Sequence, residues 1–152
     1  MTTEEIKLNP MRPHAIIVED EMALSEIYSK ALEQAGYYVE AFRNGQDALV
    51  HLKKVSPRLL LLDLKLPGAS GNEILDSIKK KKAFKDTKIF LISANPQLSL
   101  EFEGKVDLIL EKPVGYSVLS RLAEKYKPIR KVPAVTQFEA AISATLLSST
   151  LL

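Results

Sequence analysis

The sequence predicts an α/β protein built on a doubly wound sheet of five parallel strands. Three observations carry that expectation. Short leucine-rich, β-branched or aromatic runs alternate with stretches whose apolar residues recur at helical spacing. The run Leu59-Leu60-Leu61-Leu62 is apolar without alternation, as suits a strand covered on both faces. Strand candidates also end in acids, a hydroxyl or a lysine, and open α/β sheets place their working sites outside the carboxyl ends of their strands.

In chain order, His14 to Val18 reads as a short buried strand running into Glu19, Asp20 and Glu21. Leu24, Ile27, Tyr28, Ala31, Leu32 and Ala35 then mark a helix that Gly36 stops. Tyr37 to Phe42 is β-branched and aromatic, and reads as the second strand. Asn44-Gly45 opens a helix with Ala48, Leu49, Leu52 and Val55 inward, stopped by Ser56-Pro57. Leu59 to Leu62 form the third strand. Gly71 leads into a helix with Ile74, Leu75 and Ile78 inward and Lys79 to Lys82 at its end, a solvated helix terminus rather than a nucleic-acid patch. Lys88 to Ile92 and Val106 to Leu110 are strands four and five, separated by a poorly patterned segment, Asn95 to Lys105. Val118, Leu119, Leu122 and Ala123 mark a last helix ending near Tyr126. Alternating strands and helices imply right-handed crossovers and helices on both faces of the sheet.

Composition removes several classes of function. The 152 residues suffice for one domain with a core, and 46% hydrophobic against 26% charged residues is ordinary for a globular chain. A formal charge of +2 gives no reason to expect nucleic-acid binding. The chain has no cysteine, which excludes disulfides, thiolate metal sites and cysteine nucleophiles. His14 and His51 are far apart in sequence and unaccompanied, so a histidine-based zinc site is not expected. No apolar run is long enough to span a membrane and no signal-peptide pattern opens the chain, so the expected location is cytoplasmic.

If the sheet is parallel, one edge gathers Glu19 and Asp20, Asp63, Ser93, and Lys112 before Pro113. Three carboxylates so close repel unless compensated, and a hard, oxygen-preferring cation such as Mg2+ does so. Such a metal beside a lysine and a hydroxyl is equipment for phosphoryl transfer, with one carboxylate as nucleophile. Asp63 is the choice for that nucleophile, because its strand is expected at the centre and a turn exposes it. Each residue alone has a plainer reading: Asp63 as a turn cap, Ser93 as a polar strand end, Lys112 as a surface charge. Their convergence favours the site.

From His14 to Tyr126 the chain resembles the receiver domains of two-component response regulators. The resemblance rests on Glu19-Asp20 after strand one, Asp63 followed by Pro67 and Gly71, Ser93-Ala94 thirty positions after Asp63, Lys112-Pro113 after strand five, and Asn44 to Leu49 at the second helix entry. It implies a flavodoxin-like (βα)5 fold like that of the chemotaxis receivers over 14–126; a lead, 1–13, precedes this domain, and a linker with a candidate C-terminal helix, 127–152, follows it. It implies that Asp63 accepts a phosphoryl group from a histidine kinase, a phosphotransfer protein or a small phosphodonor. Asp20 and Asp63 would bind Mg2+ directly, the backbone carbonyl of Lys65 would add a ligand, and Glu19 would act through water. Lys112 would pair with the phosphoryl group, Ser93 would swing towards it as the switch, and the Lys112-Pro113 bond is often cis in the family.

Departures from the family pattern bear on output. Glu19 stands where aspartate is commoner, and Ile109 stands where a switch aromatic is usual. The segment from Ser93 to Lys112 is short, so its helix is expected to be curtailed or irregular. Lys65 and Asn95 flank the acceptor and are candidates for tuning phosphoryl lifetime. Ala134 to Leu152 can form one amphipathic helix, too short for a DNA-binding domain; it reads either as a frayed tail or as a segment that docks on its own domain, a partner or a second copy. Direct DNA binding is therefore not expected, and signalling through an unknown downstream protein or a homodimer is. Two other readings compete: a degenerate receiver that docks without phosphorylation, and an aspartate-nucleophile phosphatase of haloacid dehalogenase type. The second needs an acid two residues after the nucleophile, where Lys65 stands. A flavodoxin-like cofactor binder shares the layout, but acids after strand one would repel its phosphate.

Overall fold

The computed structural model describes residues 12–95, 97, 100–129 and 145. Strand β1 (His14–Val18), helix α1 (Met22–Gln34), β2 (Tyr38–Phe42), α2 (Gly45–Leu52), β3 (Leu59–Asp63), α3 (Gly71–Lys79), β4 (Lys88–Ser93), β5 (Leu108–Glu111) and α4 (Tyr116–Lys125) follow one another. Every strand pairing is parallel, in the order β2-β1-β3-β4-β5. That is the flavodoxin-like order, with its reversal between β1 and β3.

The four leucines explain the layering. Successive strand side chains point to opposite faces. Leu59 and Leu61 join Ile17, Phe90, Tyr28, Leu32, Leu119 and Ala123 in one cluster. Leu60 and Leu62 join Ile16, Leu91, Ala48, Leu52, Ile74 and Ile78 in the other. All four leucines are fully buried, each worth roughly 1.5–3 kcal/mol by transfer. Helices α1 and α4 pack together, as do α2 and α3. The Tyr37 hydroxyl donates to the Ala123 carbonyl at 2.8 Å, tying the entry to β2 onto α4. Burial pushes that phenol up to about 12.

Helix starts follow the expected chemistry. Asn44 Oδ1 accepts from the Asp47 amide at 2.8 Å, and Ser70 Oγ accepts from the Glu73 amide at 3.2 Å. Boundaries differ from the sequence reading in two instructive places. Helix α2 ends at Leu52, and Lys53 to Val55 close it with turns, the Lys54 and Val55 amides sharing the His51 carbonyl. Strand β5 starts at Leu108 instead of Val106, because the Ile89 amide donates to the Asp107 carboxylate at 2.8 Å instead of to a strand carbonyl.

Among the described residues of 94–107, helical geometry occurs at Gln97 and in a 3-10 turn, Leu100–Phe102, which buries Phe102 beneath the sheet. The C-terminal helix expected over 134–152 lies outside the described residues apart from Thr145, as does the lead before Arg12. The expectation that His14 and His51 stay apart is overturned. The parallel β1–β2 pairing and the return of α2 bring both to Glu40, with His14 Nε2 at 2.7 Å and His51 Nε2 at 3.1 Å from its Oε1. Their separation in sequence concealed a contact made by three different elements.

Candidate functional site

The C-terminal edge of the sheet, where β1 and β3 diverge, holds the residues that the strand ends supply. Glu19 follows β1 and is fully buried, while Asp20 beside it is exposed. Asp63 closes β3, is 3% exposed, and pairs in register with Ile92. Ser93 closes β4, and its carbonyl accepts from the Lys112 amide at 2.9 Å, which locks the turn after β5 to the turn after β4. The Lys112–Pro113 bond is cis. Tyr28 braces that turn from below, its hydroxyl accepting from the Val114 amide at 3.3 Å.

Lys112 organises the charges. Its Nζ donates at 2.9 Å to both Glu19 Oε1 and Asp63 Oδ2. Asp63 Oδ1 accepts from the Lys65 amide at 3.1 Å, so backbone and ammonium hold opposite ends of one carboxylate. Burial works against the Lys112 charge, but the hydrogen bonds to Asp63 and Glu19 outweigh it and hold the ammonium above its ordinary range. Burial also raises the Glu19 pKa; the Lys112 hydrogen bond opposes this, and the Asp63 charge reinforces it.

One carboxylate oxygen from each of Glu19, Asp20 and Asp63 lies within 4.8 Å of the others. Glu19 Oε2 is buried without a hydrogen-bond partner. A buried, unsatisfied carboxylate oxygen beside two further acids is the donor set a hard cation requires, and one lysine cannot balance three acids. The residues therefore fit Mg2+. At a free Mg2+ concentration one hundred times its Kd, stability in urea denaturation is expected to rise by about 2.7 kcal/mol, and Asp20→Asn to remove most of that gain. An Asp20→Asn protein with the full gain would place the ion elsewhere.

The cleft above these groups, of about 150 Å³, is lined by Asp20, Asp63, Lys65, Ser93, Asn95 and Lys112, together with Ala94. Ser93 Oγ is engaged by Asn95. It donates to the Asn95 carbonyl at 3.0 Å and accepts from the Asn95 amide at 3.1 Å. Ile109 lies opposite Leu91 in the ladder and packs, half-buried, against the cluster that contains Phe102. It is part of the α2–α3 face and does not line the cleft. The sequence reading missed Arg43, whose guanidinium donates to the Asp20 carbonyl at 3.1 and 3.2 Å and fixes the turn carrying that acid. No spacing signal marks such a contact, because Arg43 follows a different strand.

Fold and site together define a doubly wound α/β protein with an acidic cleft at its switch edge. Within that class the chain belongs to the response regulator receiver domain family, whose pattern it matches over residues 15–124. It is similar to the probable methanogenesis regulatory protein FilR2 of Methanothrix harundinacea, 28% identical over 123 residues that cover 74% of this chain and 79% of that protein. It is also similar to the transcriptional regulatory protein CssR of Bacillus subtilis, 31% identical, with 84% of this chain and 58% of that one matched. The phosphate regulon regulator PhoB of Rhizobium meliloti is 33% identical over 62% of this chain and 41% of its own length. The chain thus spans only about half the length of these two transcriptional regulators.

Among solved structures, a CheY-like receiver domain from Methylobacillus flagellatus aligns with a TM-score of 0.68 at 26% identity, covering 76% of this chain and 99% of that one. The BeF3-activated receiver domain of DrrB from Thermotoga maritima aligns at 0.67 and 26%, covering 76% and 97%. No helix among the described residues is long and apolar enough to cross a membrane.

Proposed function

We infer that the chain is a phosphorylation-switched signalling module in which Asp63 is the acceptor. The observation that supports this best is the double hold on Asp63, by Lys112 Nζ at one oxygen and the Lys65 amide at the other, at the mouth of a cleft shared with Asp20 and Ser93. An Asp63 oxygen attacks the phosphorus of a phosphohistidine or an acyl phosphate. The new O–P bond forms as the bond to the donor nitrogen or oxygen breaks, and the leaving group departs with that electron pair. Asp20, Asp63 and the Lys65 carbonyl would hold Mg2+, with Glu19 acting through water, and the ion would neutralise charge that otherwise repels the donor. Lys112 keeps its proton and transfers its hydrogen bonding from the carboxylate to the phosphoryl oxygens.

Ser93 supplies the switch. Its hydroxyl gives up the Asn95 carbonyl to donate to the phosphoryl group, which releases the turn that Asn95 begins. With Ile109, partly buried against the α2–α3 cluster, at the position of the usual aromatic, the change passes through this turn and not through rotation of an aromatic ring. Lys65 and Asn95, exposed at the cleft rim, set how readily water reaches the phosphoryl group. A histidine kinase or phosphotransfer protein upstream fits this chemistry, and a downstream protein or a second copy of the chain would read the surface. A phosphatase of haloacid dehalogenase type would also use an aspartate nucleophile, but Lys65 stands where its general acid is needed.

The 152-residue chain incubated with Mg2+ and acetyl phosphate is expected to gain the mass of one phosphoryl group, and Asp63→Asn to gain none. Beryllofluoride should shift the backbone amide signals of Ser93 and Asn95 in wild type alone. Absence of an adduct on wild type, or an equal adduct on the variant, defeats the assignment and leaves the degenerate docking module in its place.

A further inference from the structure

The cluster of His14, Glu40 and His51 is separate from the acidic cleft. His14 opens β1, Glu40 sits within β2 opposite Ile16, and His51 lies in the last turn of α2. Glu19 follows His14 by five residues, roughly 16 Å along an extended strand, so the two groups do not share ligands. One ligand atom from each of the three side chains lies within 4.8 Å of the others. Both imidazoles aim Nε2 at the same carboxylate oxygen, at 2.7 and 3.1 Å. His14 Nε2 is buried, and despite its short approach to Glu40 it makes no hydrogen bond of acceptable geometry.

We propose that His14, Glu40 and His51 form a binding site for a divalent transition metal, Zn2+ above all, with a fourth position open to water. Two imidazoles and one carboxylate form a borderline-soft donor set that suits Zn2+ and is poor for Mg2+, so the two sites of this chain select different ions. At Zn–N and Zn–O bonds of about 2.0–2.2 Å, tetrahedral ligands stand roughly 3.3 Å apart. Widening the two N···O contacts by about 0.6 and 0.2 Å brings each of them to that spacing, and Glu40, partly exposed at the sheet edge, has the freedom to move. The rings are already oriented. Tyr38 stacks on His14 at 5.4 Å and Phe42 lies against His51 at 4.9 Å, while the two imidazoles stand nearly perpendicular at 6.5 Å. Bound metal would staple edge strand β2 to β1 and α2, independently of any chemistry at Asp63.

The test uses the untagged 152-residue chain with Mg2+ in excess, titrated with Zn2+ by calorimetry and with Co2+ by visible absorption. Wild type is expected to bind one equivalent, with the intense bands of four-coordinate Co2+, and to melt at higher temperature with Zn2+. His51→Gln and Glu40→Gln, at partly exposed positions, are expected to weaken binding at least about tenfold while keeping the metal-free melting profile. Asp20→Asn is expected to bind Zn2+ as wild type does. The proposal is overturned if wild type takes up no Zn2+, which would leave a carboxylate–imidazole ion pair only. It is equally overturned if His51→Gln binds undiminished, or if Asp20→Asn abolishes the binding.

Discussion

Replacing Lys112 by methionine is expected to destabilise the Mg2+-free protein by about 3 kcal/mol at pH 8, the low end for breaking a buried ion pair because the cleft admits water to Asp63. Methionine preserves most of the stem's packing, so the loss reports on charge. Lys112 Nζ is the hydrogen-bond donor shared by Glu19, which is fully buried, and Asp63, which is nearly so. Without it two carboxylates face one another in a low-dielectric pocket, and Glu19, already pushed up by burial, takes a proton.

The pH dependence follows from the signs. A Glu19 raised above its ordinary value near 4.5 makes the folded variant bind protons that the unfolded chain releases, so its stability falls as pH rises above that value. The Lys112 contribution in wild type has the opposite placement. Its pKa is raised above 10.5, so that stability is fully present at neutral pH and disappears only on the alkaline side. The gap between wild type and Lys112→Met should therefore be small at pH 4.5, wide at pH 8, and narrowed again by Mg2+. Urea denaturation at the two pH values, with and without Mg2+, measures it. A gap that is the same at both pH values would mean that Lys112 acts through packing and not as counter-ion to two buried acids.

The contrast between Glu19 and Asp20 shows what a sequence can and cannot convey about such a site. Strand-end placement follows from the alternation of apolar runs and helices, so Glu19, Asp20, Asp63, Ser93 and Lys112 were all legible as neighbours. Which acid is buried was not legible, because it depends on β-strand parity. Val18 points into the α2–α3 cluster, so Glu19 turns the other way, beneath Lys112, and Asp20 is left outside. The Ser93 hydroxyl was legible as part of the site, but not its engagement with Asn95, which is a local turn made by backbone atoms. Strand β5 was misjudged at its start for a related reason: the Asp107 carboxylate replaces a strand carbonyl, and no periodicity records that exchange. The histidine cluster escaped the sequence reading entirely. It needs a parallel pairing, a crossover and a helix of a particular length before three residues spread from 14 to 51 meet.

Gly45→Ala is expected to cost at least about 3 kcal/mol, beyond the usual effect of overpacking, because the obstacle is backbone. A Cβ on Gly45 would stand 1.7 Å from the Ala69 carbonyl oxygen and 2.6 Å from its carbon. Side-chain repacking cannot relieve that overlap. Either α2 lifts from the sheet or the loop from Leu64 to Ser70 moves away. The Gly45 amide also donates to the Pro67 carbonyl at 2.9 Å, so the same displacement breaks a hydrogen bond. That loop carries the Lys65 amide that holds Asp63 Oδ1. The substitution should thus weaken Mg2+ binding and slow phosphorylation by acetyl phosphate, although Gly45 touches neither. Gly115→Ser is the control: its nearest neighbour is 3.9 Å from the added Cβ, and serine suits the cap position before α4, so stability should stay within about 0.5 kcal/mol. If Gly45→Ala matches the control in urea denaturation, the close approach of α2 to the acceptor loop does not position the site. If it loses stability and keeps full Mg2+ affinity, the helix gives way and the loop holds, which assigns the geometry of Asp63 to β3 and Lys112 alone.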